Sequence, residues 1–311
     1  MKSEKLGLIL VLLGMSLFSI QDVIIKLIAD RVSLMQILFF RASLGTLLLI
    51  CFLWVSGKPI KLGSFYPKTA LFRGVTFFIG FTLFYVSISR ISLAEANSLF
   101  FSNPIFVTIF SVFFLKISIG IHRVFAVFVG FLGTLLIIKP SLNNINWYMV
   151  LPLITAISYS IGMLLAKKTS DKDNAFQQSF HIYLGGVILS PLITMVAKYG
   201  FPQYENDQTK FLFMPWEFGE IYILGMLLII TITGTIGIFL LVYAYNIGSP
   251  QSNAPMEYVL LFYSLVLGFF IFGDVPDFLS FLGIVFIVLS GVYIFIREAK
   301  REKLVAVKKE R

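Results

Sequence analysis

The stretch "LGLILVLLGMSLFSIQDVIIKLI", residues 6–28, is apolar over most of its length and carries Asp22 and Lys26 near its end. A run of about 20 apolar residues is long enough to cross the hydrocarbon core of a bilayer as an α-helix. The run therefore predicts a membrane-spanning helix. Its two charges, one helical turn apart, must face something other than lipid, because a charge inside the bilayer is costly.

The composition extends this prediction to the whole chain of 311 residues. Hydrophobic residues make up 58% of the sequence and charged residues only 13%, and the mean hydropathy is +0.91. Soluble domains carry roughly 25% charged residues. We expect an all-α polytopic membrane protein, embedded in the lipid bilayer, with ten transmembrane helices. The expected spans are 6–28, 33–55, 68–89, 92–115, 122–139, 146–167, 174–198, 219–246, 250–272 and 277–297.

The net charge of +9 is concentrated beside the expected spans. With the N-terminus inside, the inner loops and the tail hold most of the Lys and Arg residues. The outer loops hold only Arg31, Arg90, Lys139, Lys198 and Lys210. Cytoplasmic loops of membrane proteins are enriched in these residues, so both termini are expected to be cytoplasmic. A basic excess placed in this way reports topology, and we expect no nucleic-acid partner.

The two halves of the chain resemble each other. The segment around Phe81 and Tyr85 recurs, without a gap, around Phe239 and Tyr243. Five helices per half is an odd number, so the second half must enter the membrane from the opposite side. Inverted repeats are typical of secondary transporters, whose solute sites lie near the midplane between the halves.

The repeat predicts three segments of chain. Residues 1–140 form the first five-helix repeat, residues 141–298 form the second, inverted repeat, and residues 299–311 form a basic cytoplasmic tail. The tail is either a regulatory or lipid-binding element or a topology anchor near anionic headgroups.

Three charged residues lie near the expected outer ends of the first two spans. Asp22 and Lys26 share one face of a helix, and Arg41 follows in the second span. Asp22 and Lys26 either pair with each other or line a solute pathway, and Lys26 has the further option of reaching the headgroups. Arg41 either binds a substrate carboxylate through its guanidinium fork or neutralises Asp22.

Polar residues also interrupt the fourth and ninth spans. Glu95 and Asn97 lie at the start of the fourth span, and Pro104 interrupts its helical hydrogen bonds. The interruption either exposes backbone carbonyls to a cavity or is a tolerated kink, with Glu95 solvated near the membrane boundary. Asn253 and Glu257 share a face of the ninth span, with Tyr258 beside them. Glu257 either touches the translocation cavity or accepts structural hydrogen bonds.

Motifs for other chemistry are missing from the sequence. There is no Walker A loop, no HExxH motif, no metal-like cluster of His and Cys and no GxSxG motif. We therefore expect no cofactor, no metal and no enzymatic activity. The alternatives left open are a membrane enzyme that acts on a lipid-linked substrate, with Glu95 or Glu257 as general base, and a noncatalytic membrane partner of another protein.

Three segments resemble the EamA group of the drug/metabolite transporter superfamily. They are "DVIIKLIADRVSLMQILFFR" (22–41), "VGFLGTLLIIKP" (129–140) and "EYVLLFYSLVLGFFIFGDVP" (257–276). The resemblance implies ten helices in two inverted repeats around a central cavity, and most resembles the branch that contains S-adenosylmethionine uptake carriers. Lys116 departs from the family, which often has an acid there, whereas its second-half counterpart Asp274 keeps one.

These observations lead to one functional expectation. We expect a secondary-active or exchange transporter that moves a small polar or zwitterionic metabolite across the inner membrane by alternating access. The metabolite would be an amino acid or a derivative such as S-adenosylmethionine, held by acidic groups at its cation and by aromatic rings at its apolar part. The expected substrate-binding residues are Asp22, Lys26, Arg41, Tyr85, Glu95, Asn97, Asn253, Glu257 and Tyr258.

Overall fold

The computed structural model describes residues 2–57, 59–115, 121–138, 146–200 and 210–309. Within these ranges the regular structure is helical and no strand occurs. The helices are α1 Lys2–Ile28, α2 Leu34–Val55, α3 Pro67–Ile88, α4 Leu93–Phe100, α5 Asn103–Leu115, α6 Ile121–Ile138, α7 Leu151–Thr169, α8 Ala175–Gly200, α9 Lys210–Phe213, α10 Ile221–Ile247, α11 Pro250–Met256, α12 Val259–Leu267 and α13 Phe278–Lys309. A 3₁₀ turn, Trp147–Met149, precedes α7, and a π turn, Gly268–Phe272, follows α12.

The helices confirm the all-α, polytopic membrane class. Seven helical segments are long and apolar enough to cross a bilayer. They are Lys5–Ile28, Leu34–Val55, Pro67–Ile88, Leu93–Phe114, Trp147–Thr169, Ala175–Tyr199 and Ile221–Ile247. Three shorter apolar segments, Phe128–Ile137, Val259–Phe272 and Phe278–Ser290, coincide with the remaining expected spans. Ten crossings therefore stay a prediction.

The packing of the helices is reciprocal between the two halves. Helix α1 packs chiefly on α10, and α3 packs on α7. Helices α1 and α7 are the first expected spans of their halves, and α3 and α10 are the third. The second spans, α2 and α8, pack on each other, as do the fifth, α6 and α13. This exchange of partners is the pattern that a two-fold relation between the halves produces.

The fourth and ninth expected spans are both broken, and Pro104 predicts the break in the fourth. Ser92 and Glu95 form a capping box at the start of α4, which ends at Phe100, and α5 begins at Asn103. Pro104 is the second residue of α5, where its missing N–H removes no helical hydrogen bond. Helix α11 ends at Met256 and α12 begins at Val259. Glu257 therefore lies in a break between two helical pieces.

Glycines let some helices touch backbone to backbone. A Cβ built on Gly74 of α3 would lie 2.6 Å from the carbonyl oxygen of His181 in α8. The same holds between α6 and α13, where a Cβ on Gly133 would lie 2.7 Å from the carbonyl oxygen of Gly283. Small residues at such crossings are how helices pack closely inside a membrane.

Several sequence predictions fall outside the described residues. Lys116, Lys139 and the expected boundary between the two repeats at residue 140 lie there, as do residues 201–209. Residues 210–220, which precede α10, lie against α2. The side-chain amide of Gln36 donates to the carbonyl oxygen of Glu217 at 2.5 Å and accepts from its N–H at 3.0 Å. The ring of Trp216 packs 5.2 Å from that of Phe39.

Candidate functional site

A cavity lies between α1, α3, α4, α7 and α12, with both halves of the chain in its wall. It contains about 500 Å³ of space not occupied by atoms, including its open part. The lining residues are Met15, Phe18, Asp22, Phe77, Gly80, Phe81, Phe84, Tyr85, Asn97, Phe100, Thr155, Tyr159 and Leu260.

Aromatic rings form most of the cavity wall. Phe81 stacks on Tyr85 with 6.0 Å between ring centroids, and the ring of Tyr159 packs edge-on against Phe77 at 5.8 Å and Phe100 at 5.3 Å. The faces of aromatic rings carry partial negative charge and attract cations. The wall is therefore suited to an apolar or cationic group.

The polar end of the cavity is formed by Asp22 and Asn97. The Asp22 side chain is 3% exposed. The Asn97 side-chain amide donates to the hydroxyl of Ser264 at 2.8 Å and interacts with the Asp22 carboxyl group. Its carbonyl oxygen, Oδ1, has no hydrogen-bond partner among the described residues. This end therefore offers a carboxylate and one unused acceptor to a group that donates hydrogen bonds.

Arg41 lies behind one wall of the cavity. Its guanidinium carbon is 4.0 Å from the centre of the Phe81 ring, and its side chain is 2% exposed. The nitrogens Nε and Nη2 have no hydrogen-bond partner among the described residues. Arg41 lines a second, smaller cavity together with Phe81 and Tyr183. The Phe81 ring, which lines both cavities, thus lies between the Arg41 guanidinium and the main cavity.

Neighbouring side chains hold this region in place. The side-chain amide of Gln21 donates to the hydroxyl of Tyr85. Arg41 also interacts electrostatically with Asp22. The structure is therefore compatible with both expected roles of Arg41, neutralising Asp22 and binding a substrate carboxylate. The Gly234 backbone of α10 packs against Arg41 and Gln21, and a Cβ there would lie 2.6 Å from Arg41 Nε.

Glu257 lies one layer behind the cavity wall and is 0% exposed. Its Oε1 accepts hydrogen bonds from the hydroxyls of Tyr159 at 3.0 Å and Tyr245 at 2.7 Å. Its Oε2 accepts from the side-chain amide of Asn103 at 2.6 Å, and Asn103 in turn contacts the hydroxyl of Ser160. Tyr159 is the member of this network that also lines the cavity.

Lys26 lies away from Asp22 and outside the cavity lining. Its Nζ is 3.5 Å from Oδ2 of Asp274 and donates to the carbonyl oxygen of Ile91 at 2.8 Å. The side chain therefore pairs across the two halves rather than along its own helix. Its repeat counterpart Lys167 also binds backbone carbonyls, those of residues 246 and 248.

The other expected site residues have local roles. Glu95 completes the capping box of α4 and accepts from the Ser92 N–H at 3.2 Å. The Asn253 side chain donates to the carbonyl oxygen of Ala244 at 2.8 Å and ties α11 to the end of α10. The Tyr258 hydroxyl donates to the carbonyl oxygen of Phe101 at 3.4 Å. The structure therefore brings Asp22, Tyr85 and Asn97 together around the cavity, with Glu257 adjoining it.

Sequence reasoning missed most of the aromatic wall. Phe77, Phe81 and Phe84 occur at helical spacing along α3, which is a signal that could have identified the wall. Tyr159 gave no such signal, because its role depends on Glu257, a residue distant in the chain.

Known proteins resemble this chain in sequence and in fold. The sequence profile of the EamA-like transporter family matches residues 5–139 and 146–296. An S-adenosylmethionine uptake transporter of Rickettsia bellii is 27% identical over 300 residues, which cover 96% of this chain and 97% of that protein. The pseudopaline exporter of Pseudomonas aeruginosa is 26% identical and covers 93% of this chain and 95% of its own length. A solved crystal structure, 14% identical, covers 96% of this chain and 99% of its own at a TM-score of 0.67, which shows a shared fold.

Proposed function

Because this chain belongs to the EamA-like transporter family, we propose that it is a secondary-active or exchange transporter for a small, cation-bearing metabolite. The metabolite is an amino acid or an amino-acid derivative such as S-adenosylmethionine. Family membership places the chain among transporters rather than enzymes. The aromatic wall, the Asp22 carboxyl group and the similarity to an S-adenosylmethionine uptake transporter support this substrate class.

The single observation that carries the proposal is a buried carboxylate inside an aromatic box. An ionised side chain in the membrane costs about 2.5–3.5 kcal/mol on insertion scales, and Asp22 is 3% exposed. An ammonium or sulfonium group between the rings would offset that cost through Coulomb attraction and cation–π contacts. The free Oδ1 of Asn97 would accept a hydrogen bond from an ammonium group.

The carboxylate of a zwitterionic metabolite also finds a partner in this arrangement. Arg41 has unused N–H groups behind the Phe81 ring. Rotation of that ring would join the two cavities and expose the guanidinium fork, which matches a carboxylate in two hydrogen bonds. A substrate with separated positive and negative ends would then extend from Asp22 to Arg41.

The proposed mechanism is alternating access between two inverted five-helix repeats, residues 1–140 and 141–298. The reciprocal packing of α1 on α10 and α3 on α7 supports it, as does the position of the cavity between the halves. The broken fourth and ninth spans contribute Asn97 and Leu260 to the cavity and supply flexible points for such a movement. We place the chain in the cell inner membrane, with the termini and the 299–311 tail cytoplasmic.

Purified protein in liposomes tests the proposal. The liposomes are loaded with unlabelled metabolites, and the entry of labelled S-adenosylmethionine, methionine, lysine and an uncharged nucleoside is measured. We expect a cation-bearing amino-acid derivative to exchange and to be recovered chemically unaltered. A folded, monodisperse protein that moves none of the cationic solutes, or that converts one into a product, would contradict the proposal.

A further inference from the structure

We propose that transport by this chain is coupled to protons and that Glu257 is the group that binds and releases the proton. The inference rests on the proposed transport function, but the binding of the proton can be measured separately. It is supported by the set of hydrogen bonds around Glu257 and by the position of Tyr159, which contacts both Glu257 and the cavity.

The groups around Glu257 are neutral. Among the described residues, its hydrogen-bond partners are phenol hydroxyls from α7 and α10 and an amide from α5, namely Tyr159, Tyr245 and Asn103. The Tyr258 phenol is the other titratable group that interacts with it. The described parts of α1 and α13, which also pack on α11, supply no hydrogen bond to the carboxyl group. No cation is therefore present in this network to hold the acid permanently ionised.

The same heavy-atom positions satisfy the network in either protonation state. The Ser160 hydroxyl has one proton but lies 2.6 Å from both Asn103 Oδ1 and the Ala156 carbonyl oxygen. If it donates to Asn103 Oδ1, the Asn103 N–H points to Glu257 Oε2, an arrangement that suits the ionised carboxylate. If it donates to Ala156, a half-turn of the Asn103 amide lets its N–H donate to Ser160 Oγ. Asn103 Oδ1 then faces Glu257 Oε2 and requires a proton on the carboxyl group.

Tyr159 connects this proton site with the cavity, because its ring lines the cavity and its hydroxyl contacts Glu257 Oε1. The hydroxyl transfers its proton to Oε1 and takes one from a hydronium ion in the cavity, which is left as water. Half-turns of the carboxyl group and of the Asn103 amide then direct the new O–H to Oδ1. No electron is transferred, and the carboxylate has become a neutral acid.

Protonation also changes a contact between the halves. Asn103 belongs to the first half and Glu257 to the second, and they are joined at 2.6 Å. A hydrogen bond to an ionised carboxylate is roughly twice as strong as one between neutral groups. Loss of the charge therefore loosens the tie between the broken fourth and ninth spans. This gives the proton a means of biasing the conformational change that moves the substrate.

Infrared difference spectroscopy tests proton binding without any solute. The full chain in lipid nanodiscs is compared at high and low pH. We expect the absorption of a protonated, buried carboxyl group to appear as the pH falls, to be lost in Glu257→Gln and to persist in Asp22→Asn. Asp30→Asn, which changes an exposed acid, serves as the matched control and should retain the absorption. Identical pH responses of the wild type and Glu257→Gln would overturn the proposal.

A transport measurement then tests the coupling. Liposomes containing the protein are given labelled S-adenosylmethionine with and without a pH gradient. We expect the gradient to raise the accumulation ratio in the wild type and to have no effect in Glu257→Gln, whatever rate of exchange remains. Tyr159→Phe should slow gradient-driven accumulation more than Tyr245→Phe, which removes an equivalent donor outside the cavity lining.

The outcomes separate the two proposals. If the wild type exchanges the solute but its accumulation ratio is the same with and without the pH gradient, proton coupling is overturned and the transport function is retained. Absence of exchange for every cationic solute would reject the transport function, while the infrared comparison still decides whether Glu257 takes up a proton.

Discussion

At the scale of single residues, the cavity concentrates its polar chemistry in few side chains. Asp22 supplies a carboxyl group, and Asn97 supplies a side-chain oxygen that accepts no hydrogen bond from the described residues. Arg41 lies behind the ring of Phe81, and its Nε and Nη2 donate no hydrogen bond to the described residues. All three are buried, and the Asn97 oxygen and two Arg41 nitrogens have no hydrogen-bond partner among the described residues; a buried polar group without a partner destabilises the fold by roughly 1–3 kcal/mol. A bound substrate would supply the hydrogen-bond partners that these groups lack.

The carboxylate of Asp22 should decide the affinity for the positive end of a substrate. Asp22→Asn removes the charge and keeps the size, so a charge-assisted hydrogen bond of about 1.5–3 kcal/mol is lost. We expect the Kd for S-adenosylmethionine, measured by calorimetry on the protein in nanodiscs, to rise about 10- to 100-fold. Asp30→Asn, an exposed change of the same kind, should leave it unaltered. Equal affinities of Asp22→Asn and the wild type would remove Asp22 from the site.

Arg41 should decide the affinity for the negative end. Arg41→Lys keeps the charge but loses the planar fork that binds a carboxylate in two hydrogen bonds. We expect binding of S-adenosylmethionine to weaken roughly tenfold, equivalent to about 1.4 kcal/mol, in competition assays. Binding of its decarboxylated analogue, which lacks the negative end, should change little. An equal loss for both ligands would show that Arg41 acts on the fold and not on the carboxylate.

At the scale of elements, broken helices and close crossings shape the site. The interruption between α4 and α5 places Asn97 on the cavity side and Asn103 against Glu257. The interruption between α11 and α12 leaves Glu257 free of a regular helix, where donors from three other helices reach it. In continuous helices the direction of each of these side chains would be set by its position along the helix.

The crossing of α3 and α8 depends on a glycine. Gly74→Ala places a methyl group 2.6 Å from the His181 backbone oxygen, and a backbone atom cannot move aside as a flexible side chain can. Overpacking of this kind typically costs about 1–3 kcal/mol, so we expect a lower Tm in detergent by several degrees.

A second glycine provides the control for this crossing. Gly225 also lies within a membrane helix, but a Cβ there meets nothing within 4 Å. Gly225→Ala should therefore leave the Tm unchanged or raise it slightly, since alanine favours a helix over glycine. Equal Tm values for the two variants would mean that the α3–α8 crossing is looser than the structure shows.

At the scale of the whole molecule, two halves exchange partners around one cavity. The first and third expected spans of one half pack on the third and first of the other, so neither half encloses the cavity alone. The Lys26–Asp274 ion pair, with 3.5 Å between Nζ and Oδ2, is one of the ties between them. A change in their relative orientation would alter every wall of the cavity at once.

The proposed inverted repeat makes a prediction about topology. An even number of crossings with an inside N-terminus places both termini in the cytoplasm, as the distribution of Lys and Arg favours. We expect a C-terminal green fluorescent protein fusion to fluoresce and a C-terminal alkaline phosphatase fusion to be inactive. Fusions after Arg31 and Arg90, in expected outer loops, should show the opposite pattern. An active phosphatase at the C-terminus would exclude ten crossings with this orientation.

The membrane class, the all-helical structure and the approximate bounds of the spans were predictable from the sequence alone. These features follow from local composition and hydropathy, since a bilayer selects helices according to the apolarity of about 20 neighbouring residues. The break after Phe100 was also predictable, because the ring of Pro104 would clash with the carbonyl group of residue 100, four positions earlier, in a continuous helix. Asp22, Asn97 and Tyr85 were expected to line a cavity, and the structure places them around one.

The pairing of the buried polar groups depends on how the helices pack. Lys26 is four residues from Asp22 yet pairs with Asp274, and Glu257 takes its donors from three different helices. The Phe81 ring separates Arg41 from the cavity. The partner of a buried charge is the group that packing brings within hydrogen-bonding distance. Groups far apart in the chain are therefore joined by the arrangement of helices, which local sequence does not specify.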